Sequence, residues 1–157
     1  MIYIFEGINK VGKSTLLNHI KNVPKIELKR PLSVHEAFSI PYAVLQTCKA
    51  LNYPDIIMDR CYISELAYNL DIEWELYREL DEAFAYCSRL IYLELDSETL
   101  EERWKEKTKP IPHRYSIAFL KIRYEELLKW TSLPVVRINP LEVCLEDIIR
   151  PTAFLYR

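Results

Sequence analysis

The chain has almost no glycine: Gly7 and Gly12 are the two in 157 residues, where average usage of about 7% would supply roughly eleven. Helix ends and tight turns must therefore be closed by other residues, and Asn22, Asn52 and Asn69 are the expected left-handed stops. The four cysteines, Cys48, Cys61, Cys87 and Cys144, form no C-x-x-C pair. Their wide spacing suits neither a zinc site nor a dense disulfide framework, and free buried thiols are expected. His19, His35 and His113 are equally dispersed and give no basis for a structural metal. A net charge of −2 provides no whole-protein basic field to draw in nucleic acid. No apolar run approaches the ~20 residues of a membrane helix. The chain opens directly into Ile2-Tyr3-Ile4-Phe5 with no basic stretch or cleavage site, so a cytoplasmic protein without a signal peptide is expected.

What is present is an ordinary globular composition, 50% hydrophobic and 28% charged, on a length that fits one domain over residues 1–157. Ile2–Phe5, Ile56–Met58, Leu90–Leu95 and Val135–Ile138 are short apolar runs that read as buried strands, with a weaker one at Ile26–Leu28. Helical spacing marks Lys13–Asn22, the run through Leu76, Leu80, Ala83 and Phe84, a segment capped by Ser97 in which Glu101 and Lys105 are an i,i+4 pair, the run from Ile117 to Leu128, and Leu141–Ile149. Strand–helix alternation predicts an α/β fold: a parallel sheet of about five strands flanked by helices.

Both glycines fall in one motif. Gly7-Ile8-Asn9-Lys10-Val11-Gly12-Lys13-Ser14 fits G-x-x-x-x-G-K-[ST] and stands between a strand and a helix, the context this phosphate-binding loop requires. Backbone N–H groups converge on a phosphate only where the loop curls tightly, which needs residues free to take positive φ. The following helix adds its positive dipole end. Gly7 through Thr15 are therefore the expected ATP-binding residues, with Lys13 reaching the β/γ-phosphates and the Ser14 hydroxyl on Mg²⁺. Absence elsewhere sharpens the reading. A GTPase D-x-x-G switch and a transporter-type glycine-rich signature both need glycines that this chain lacks. A small-molecule kinase, working by positioning and charge neutralisation, is what remains.

The residues around this loop resemble the thymidylate kinases. Phe5-Glu6-Gly7 through Thr15 is similar to their first strand and P-loop. Asp59-Arg60-Cys61-Tyr62-Ile63-Ser64-Glu65-Leu66-Ala67-Tyr68 is similar to their D-R-[YF]-x-x-S-x-x-A-[YF] segment. Tyr92–Asp96, Leu100–Arg103, Lys109-Pro110, Arg114-Tyr115, Phe119 and Tyr124 follow in the order of their fourth strand, lid and next helix. The resemblance implies a three-layer P-loop kinase fold with a lid around residues 101–115. It places Asp59 beside Mg²⁺, Arg60 on the acceptor and Arg103 over ATP as a lid cation, so that Lys13, Asp59, Arg60 and Arg103 would carry transfer. It also implies an acceptor site drawn from Arg30, Phe38, Arg60, Tyr68 and Arg114, and a homodimer.

The chain departs from that family on the acceptor side. Asn9 stands where many members carry a loop carboxylate, Lys10 where some carry an arginine, and the stretch from Lys29 to Pro54 is short. Lysine is a point charge rather than a fork, so that exchange is not conservative. Three readings follow. The first is a kinase passing the γ-phosphoryl of MgATP to a pyrimidine deoxynucleotide. The second, suited to a rebuilt acceptor wall, is a relative of the phage enzymes that phosphorylate 5-hydroxymethyluracil in DNA. The third is an ATP-binding module without transfer.

Overall fold

A computed structural model describes residues 1–28, 34–52, 55–106 and 115–143. The five apolar runs form strands at Ile2–Glu6 (β1), Lys25–Glu27 (β2), Ile56–Asp59 (β3), Ser88–Leu93 (β4) and Val135–Ile138 (β5). All pair in parallel, in the order β2-β3-β1-β4-β5. Near-continuous apolar sequence in β1, β3 and β4 follows from burial on both faces at the centre of a parallel sheet.

Topology fixes where the helices go. Lys13–His19 (α1) carries the chain from β1 past β3 to β2, and Val34–Ala50 (α2) returns it to β3. Tyr62–Tyr68 (α3), a 3₁₀ turn at Trp74–Tyr77 and Arg78–Ala85 (α4) lead to β4, and Ser97–Lys105 (α5) and Ile117–Trp130 (α6) lead to β5. Right-handed crossovers put α1 on one face and α2 to α6 on the other. Contacts of α3 with α2 and α6, of α2 with α4, and of α5 with α6 agree. The strand order switches direction beside β1, the chain crossing to one side for β2 and to the other for β4, so the crevice at the carboxyl ends of β1, β3 and β4 is where a ligand would sit. Among the described residues no helix is long and apolar enough to cross a membrane.

Several local expectations need correction. Asn22 and Asn52 do take positive φ, 66° and 60°. Asn69 leaves α3 in extended backbone at φ −115° and instead accepts the Asp71 N–H on its side chain at 3.1 Å. Asp96, not Ser97, caps α5: its carboxylate accepts from the Thr99 N–H and hydroxyl at 2.8 and 2.7 Å, and those two bonds hold its pKa below the usual range. A charged acceptor there also meets the helix dipole, which a serine hydroxyl cannot. Helix α1 ends at His19 rather than Asn22. Helix α2 carries Pro41 in its interior, which removes one backbone donor, and the sequence pattern assigns no element there. Residues 141–142 form a turn and Val143 has no regular structure, and residues 144–149 of the helix expected at Leu141–Ile149 lie outside the described residues, with Cys144. Cys48, Cys61 and Cys87 are free thiols, the first two buried.

Candidate active site

The loop after β1 closes as its glycines demand. Gly7 has φ 151°, and a Cβ there would lie 2.6 Å from the Leu93 carbonyl oxygen in β4. Gly12 has φ 108° and opens α1, while Lys10 shares the left-handed region at φ 74° without being glycine. Two closure bonds set the curl: Val11 N–H to the Ile8 carbonyl at 3.1 Å and Leu16 N–H to the Gly12 carbonyl at 3.0 Å. The outward carbonyls are held from α5. Trp104 Nε1 donates to Asn9 O at 2.8 Å, and Arg103 Nη1 donates to Lys10 O and Val11 O, each at 3.1 Å. The indole N–H requires a partner, and that need is the sequence signal that Trp104 does more than pack.

Charges from β1 and β3 meet beneath the loop. Lys13 is buried on α1 and pairs with the Asp59 carboxylate at the end of β3. Arg60 follows with φ 72°, its N–H still on the Phe5 carbonyl at 3.1 Å, so the chain completes the sheet ladder and then kinks. Its Nη1 donates to Ser64 Oγ at 3.2 Å and its Nη2 to Asn9 Oδ1. Asn9 N–H donates to the Tyr68 hydroxyl at 3.1 Å. Sequence reasoning did not find Glu6. This wholly buried carboxylate accepts from Cys61 N–H at 2.7 Å, Ser64 N–H at 3.2 Å and the Ser64 hydroxyl. Burial pushes its pKa up against the opposing pull of Arg60, Ser64 and Lys13. Burial, with Glu6 nearby, also pushes the Cys61 thiol well up, so it stays protonated and unreactive.

Two cavities open on this cluster. One, about 570 Å³, is lined by the loop residues Ile8, Asn9, Lys10, Gly12, Lys13, Ser14 and Thr15 with Arg60, Arg103 and Glu106. The other, about 430 Å³, is lined by Asn9, Glu27, Leu28, Arg60, Cys61, Ser64, Glu65 and Tyr68. Both lie in the size range of small-ligand sites. Asn9 and Arg60 line both and form the wall between them. The loop residues, Asp59, Arg60, Arg103 and Tyr68 thus lie together around these two cavities. Phe38 sits instead among Tyr42 and Tyr77, with ring centroids 6.2 and 5.7 Å away, and is not among the described residues lining the second cavity. Arg30 and Arg114, with Lys107, Lys109 and His113, lie outside the described residues. Trp74 and Trp130 pack edge to face, each under an arginine (Arg123 and Arg78), and neither lines the two cavities.

The sequence matches no protein-family model and no curated protein. By structure the chain is similar to the YorR protein of Bacillus subtilis in complex with phosphorylated GDP, at TM-score 0.67 and 20% identity over 99% of this chain and 95% of that one. The fold is that of the P-loop kinases. Similarity extends to deoxyadenosine kinase from M. mycoides with bound dATP, at TM-score 0.55 and 19% identity over the whole of both chains. The same kinase with the products dCMP and dCDP matches at TM-score 0.52 and 18% identity, again over both whole chains. At these identities the likeness is one of fold, and the resemblance to thymidylate kinases in particular rests on the sequence motifs.

Proposed function

We propose that this protein is an ATP-dependent phosphotransferase whose acceptor is a pyrimidine deoxynucleotide. The observation that carries the reading is the shared wall: Arg60 and Asn9 face both the phosphate loop and the second cavity. A phosphoryl group crossing from one to the other passes over a guanidinium whose fork has five N–H donors, more than Ser64 and Asn9 take up. Phosphoryl transfer asks little covalent chemistry of a protein and much positioning of cations on developing charge.

The roles follow from placement. Lys13 would exchange Asp59 for the β/γ-phosphates, which frees that carboxylate. Ser14 and Asp59 would hold Mg²⁺, which takes one or two carboxylates plus substrate phosphates and supplies charge neutralisation there. Cradle geometry supports the fit, since both glycines of the loop stand at positive φ, where a Cβ would strain the curl that a phosphate needs. Arg103, anchored on the loop carbonyls, is the lid cation, and Tyr68 lines the acceptor side with Arg60. Free thiols at Cys48, Cys61 and Cys87 suit a reducing cytoplasm.

A second reading is favoured by one feature: a single described helix, α2, lies between β2 and β3, so the acceptor wall is slight. In that reading the acceptor is the hydroxymethyl group of 5-hydroxymethyluracil in DNA. Transfer of label from γ-³²P-ATP, run side by side on free deoxynucleotides and on hydroxymethyluracil-containing DNA, tests both. Label in the free nucleotide is expected, label in the DNA selects the second reading, and label in neither leaves an ATP-binding module.

A further inference from the structure

Glu6 is an expensive residue to bury. Removing a carboxylate from water carries a desolvation penalty that its hydrogen bonds offset only in part, and a neutral side chain of the same shape commonly holds a core as well. Something other than stability therefore has to account for a charge at this position. Its partners suggest what. All three bonds run from the end of β1 to residues 61–64, the segment that leaves β3 and enters α3. Arg60, the residue before that segment, is held at φ 72°, a region sparsely used by residues with a Cβ. Such backbone persists only where its surroundings over-determine it.

A relay connects the carboxylate to the guanidinium. Ser64 donates its hydroxyl hydrogen to Glu6, which orients the oxygen lone pairs so that the same Oγ accepts from Arg60 Nη1 at 3.2 Å. The other arm of the fork rests on Asn9 Oδ1 in the phosphate loop. Tyr124 closes the far side, its hydroxyl 3.5 Å from both Ser64 Oγ and the Gly7 carbonyl. We infer that Glu6 is a positioning residue: acting through Ser64 and the backbone of residues 61–64, it sets the kink and the fork orientation that aim Arg60 at the wall between the two cavities. The inference rests on the phosphotransfer reading for its consequence in turnover, but not for its geometry.

Glutamine at position 6 keeps the shape and one acceptor oxygen, and turns an N–H₂ toward Ser64 and Arg60. E6Q should therefore fold and melt at or above the wild-type temperature and bind MgADP within about threefold. Its kcat should fall about 10- to 100-fold, the usual loss when a partner that orients a functional side chain is removed, with little change in the KM for ATP. In an Arg60→Lys background the same substitution should have almost no further effect, because it acts through Arg60. Phenylglyoxal labelling of Arg60, followed by peptide mass spectrometry, needs no acceptor and should be several-fold faster in E6Q. Glu6→Asp, which keeps the charge but shortens its reach, repeats the labelling measurement should E6Q fail to fold. Wild-type turnover in E6Q, full additivity with Arg60→Lys, or an unchanged labelling rate overturns the inference. Should wild-type protein transfer phosphate to no acceptor, the proposed function fails while the labelling rate still decides the role of Glu6.

Discussion

Replacing Gly7 by alanine separates the two jobs that the paired glycines perform. The new Cβ would sit 2.6 Å from the Leu93 carbonyl oxygen, about 0.7 Å inside the shortest ordinary C–H···O separation. Leu93 ends β4, in register with Ile138 of β5, and its backbone cannot retreat without breaking that pairing. Val11 Cγ1 at 3.1 Å blocks the other side. Positive-φ strain contributes about 1–3 kcal/mol and overpacking about 1–3 kcal/mol, so a loss near 4 kcal/mol is expected. With a urea m-value of about 2 kcal/mol/M, the midpoint falls by about 2 M at unchanged m. Gly12→Ala differs in kind. There the Cβ meets Arg103 Nη1 at 3.4 Å, the far end of a flexible side chain, so strain remains and the clash is relieved by rotation. Its midpoint should drop by about 0.5–1.5 M on the same m-value, less than for Gly7→Ala, yet MgATP binding should be lost, because the loop cannot close on a phosphate. Urea titrations followed by circular dichroism, with calorimetric titration of MgATP, read both. Equal midpoint shifts for the two variants, or a Gly7→Ala shift below about 0.5 M, would refute the steric argument.

Lys13→Ala should abolish both ATP affinity and turnover in calorimetry and label transfer, whereas Arg60→Ala should bind ATP normally and transfer nothing; wild-type turnover in Arg60→Ala removes the acceptor-side assignment. Asp81→Ala should cost about 3 kcal/mol in a denaturant titration, since this buried carboxylate accepts from the Tyr62 hydroxyl at 2.6 Å, the Thr131 hydroxyl and the Ser132 N–H, all left without that acceptor. Stability should also carry a pH signature from Glu6. Its folded pKa lies above the unfolded value because of burial, so between the two the native chain binds more protons and stability falls as pH rises, levelling off above the folded pKa. Arg60, shifted upward, stays charged through that window, while Cys61, Tyr68 and Tyr124, also shifted upward, stay neutral. Melting temperatures of wild type and E6Q between about pH 4 and about pH 8 should therefore diverge, the decline being absent from E6Q.

The sheet was legible in the sequence because buried parallel strands leave short apolar runs between helical stretches, and all five runs form strands. Phosphate-loop placement was legible for a comparable reason: two glycines at fixed spacing carry a backbone requirement that no other residue meets. What escaped depends on distance along the chain. Helix α2 is interrupted in propensity by Pro41, and only burial of Ala37, Leu45 and Cys48 against the core reveals why it forms. Asn69 carries the same stop signal as Asn22 and Asn52, but its side chain serves the Asp71 N–H and its backbone stays extended. Glu6 bonds residues 55 and 58 positions away, and Trp104 one 95 positions away. No local pattern encodes such partners.

A phosphate loop has two sides, and this chain shows how each is satisfied. Turning N–H groups toward a phosphate turns carbonyls away from it, and those carbonyls are strong acceptors that must be bonded. Here the last turn of α5 supplies the donors, through Trp104 and Arg103. The helix that leads toward residues 107–114 is thereby fastened to the loop that would hold the donor phosphates. Asn9 accepts from Arg60 on its side-chain oxygen and donates its N–H to Tyr68, which fastens the loop to the lining of the second cavity. Asparagine suits this position for a physical reason. In the proposed reaction a carboxylate there would pair Arg60 more tightly and compete with an incoming phosphate for the guanidinium, whereas a neutral amide would orient the fork and leave its charge to that phosphate.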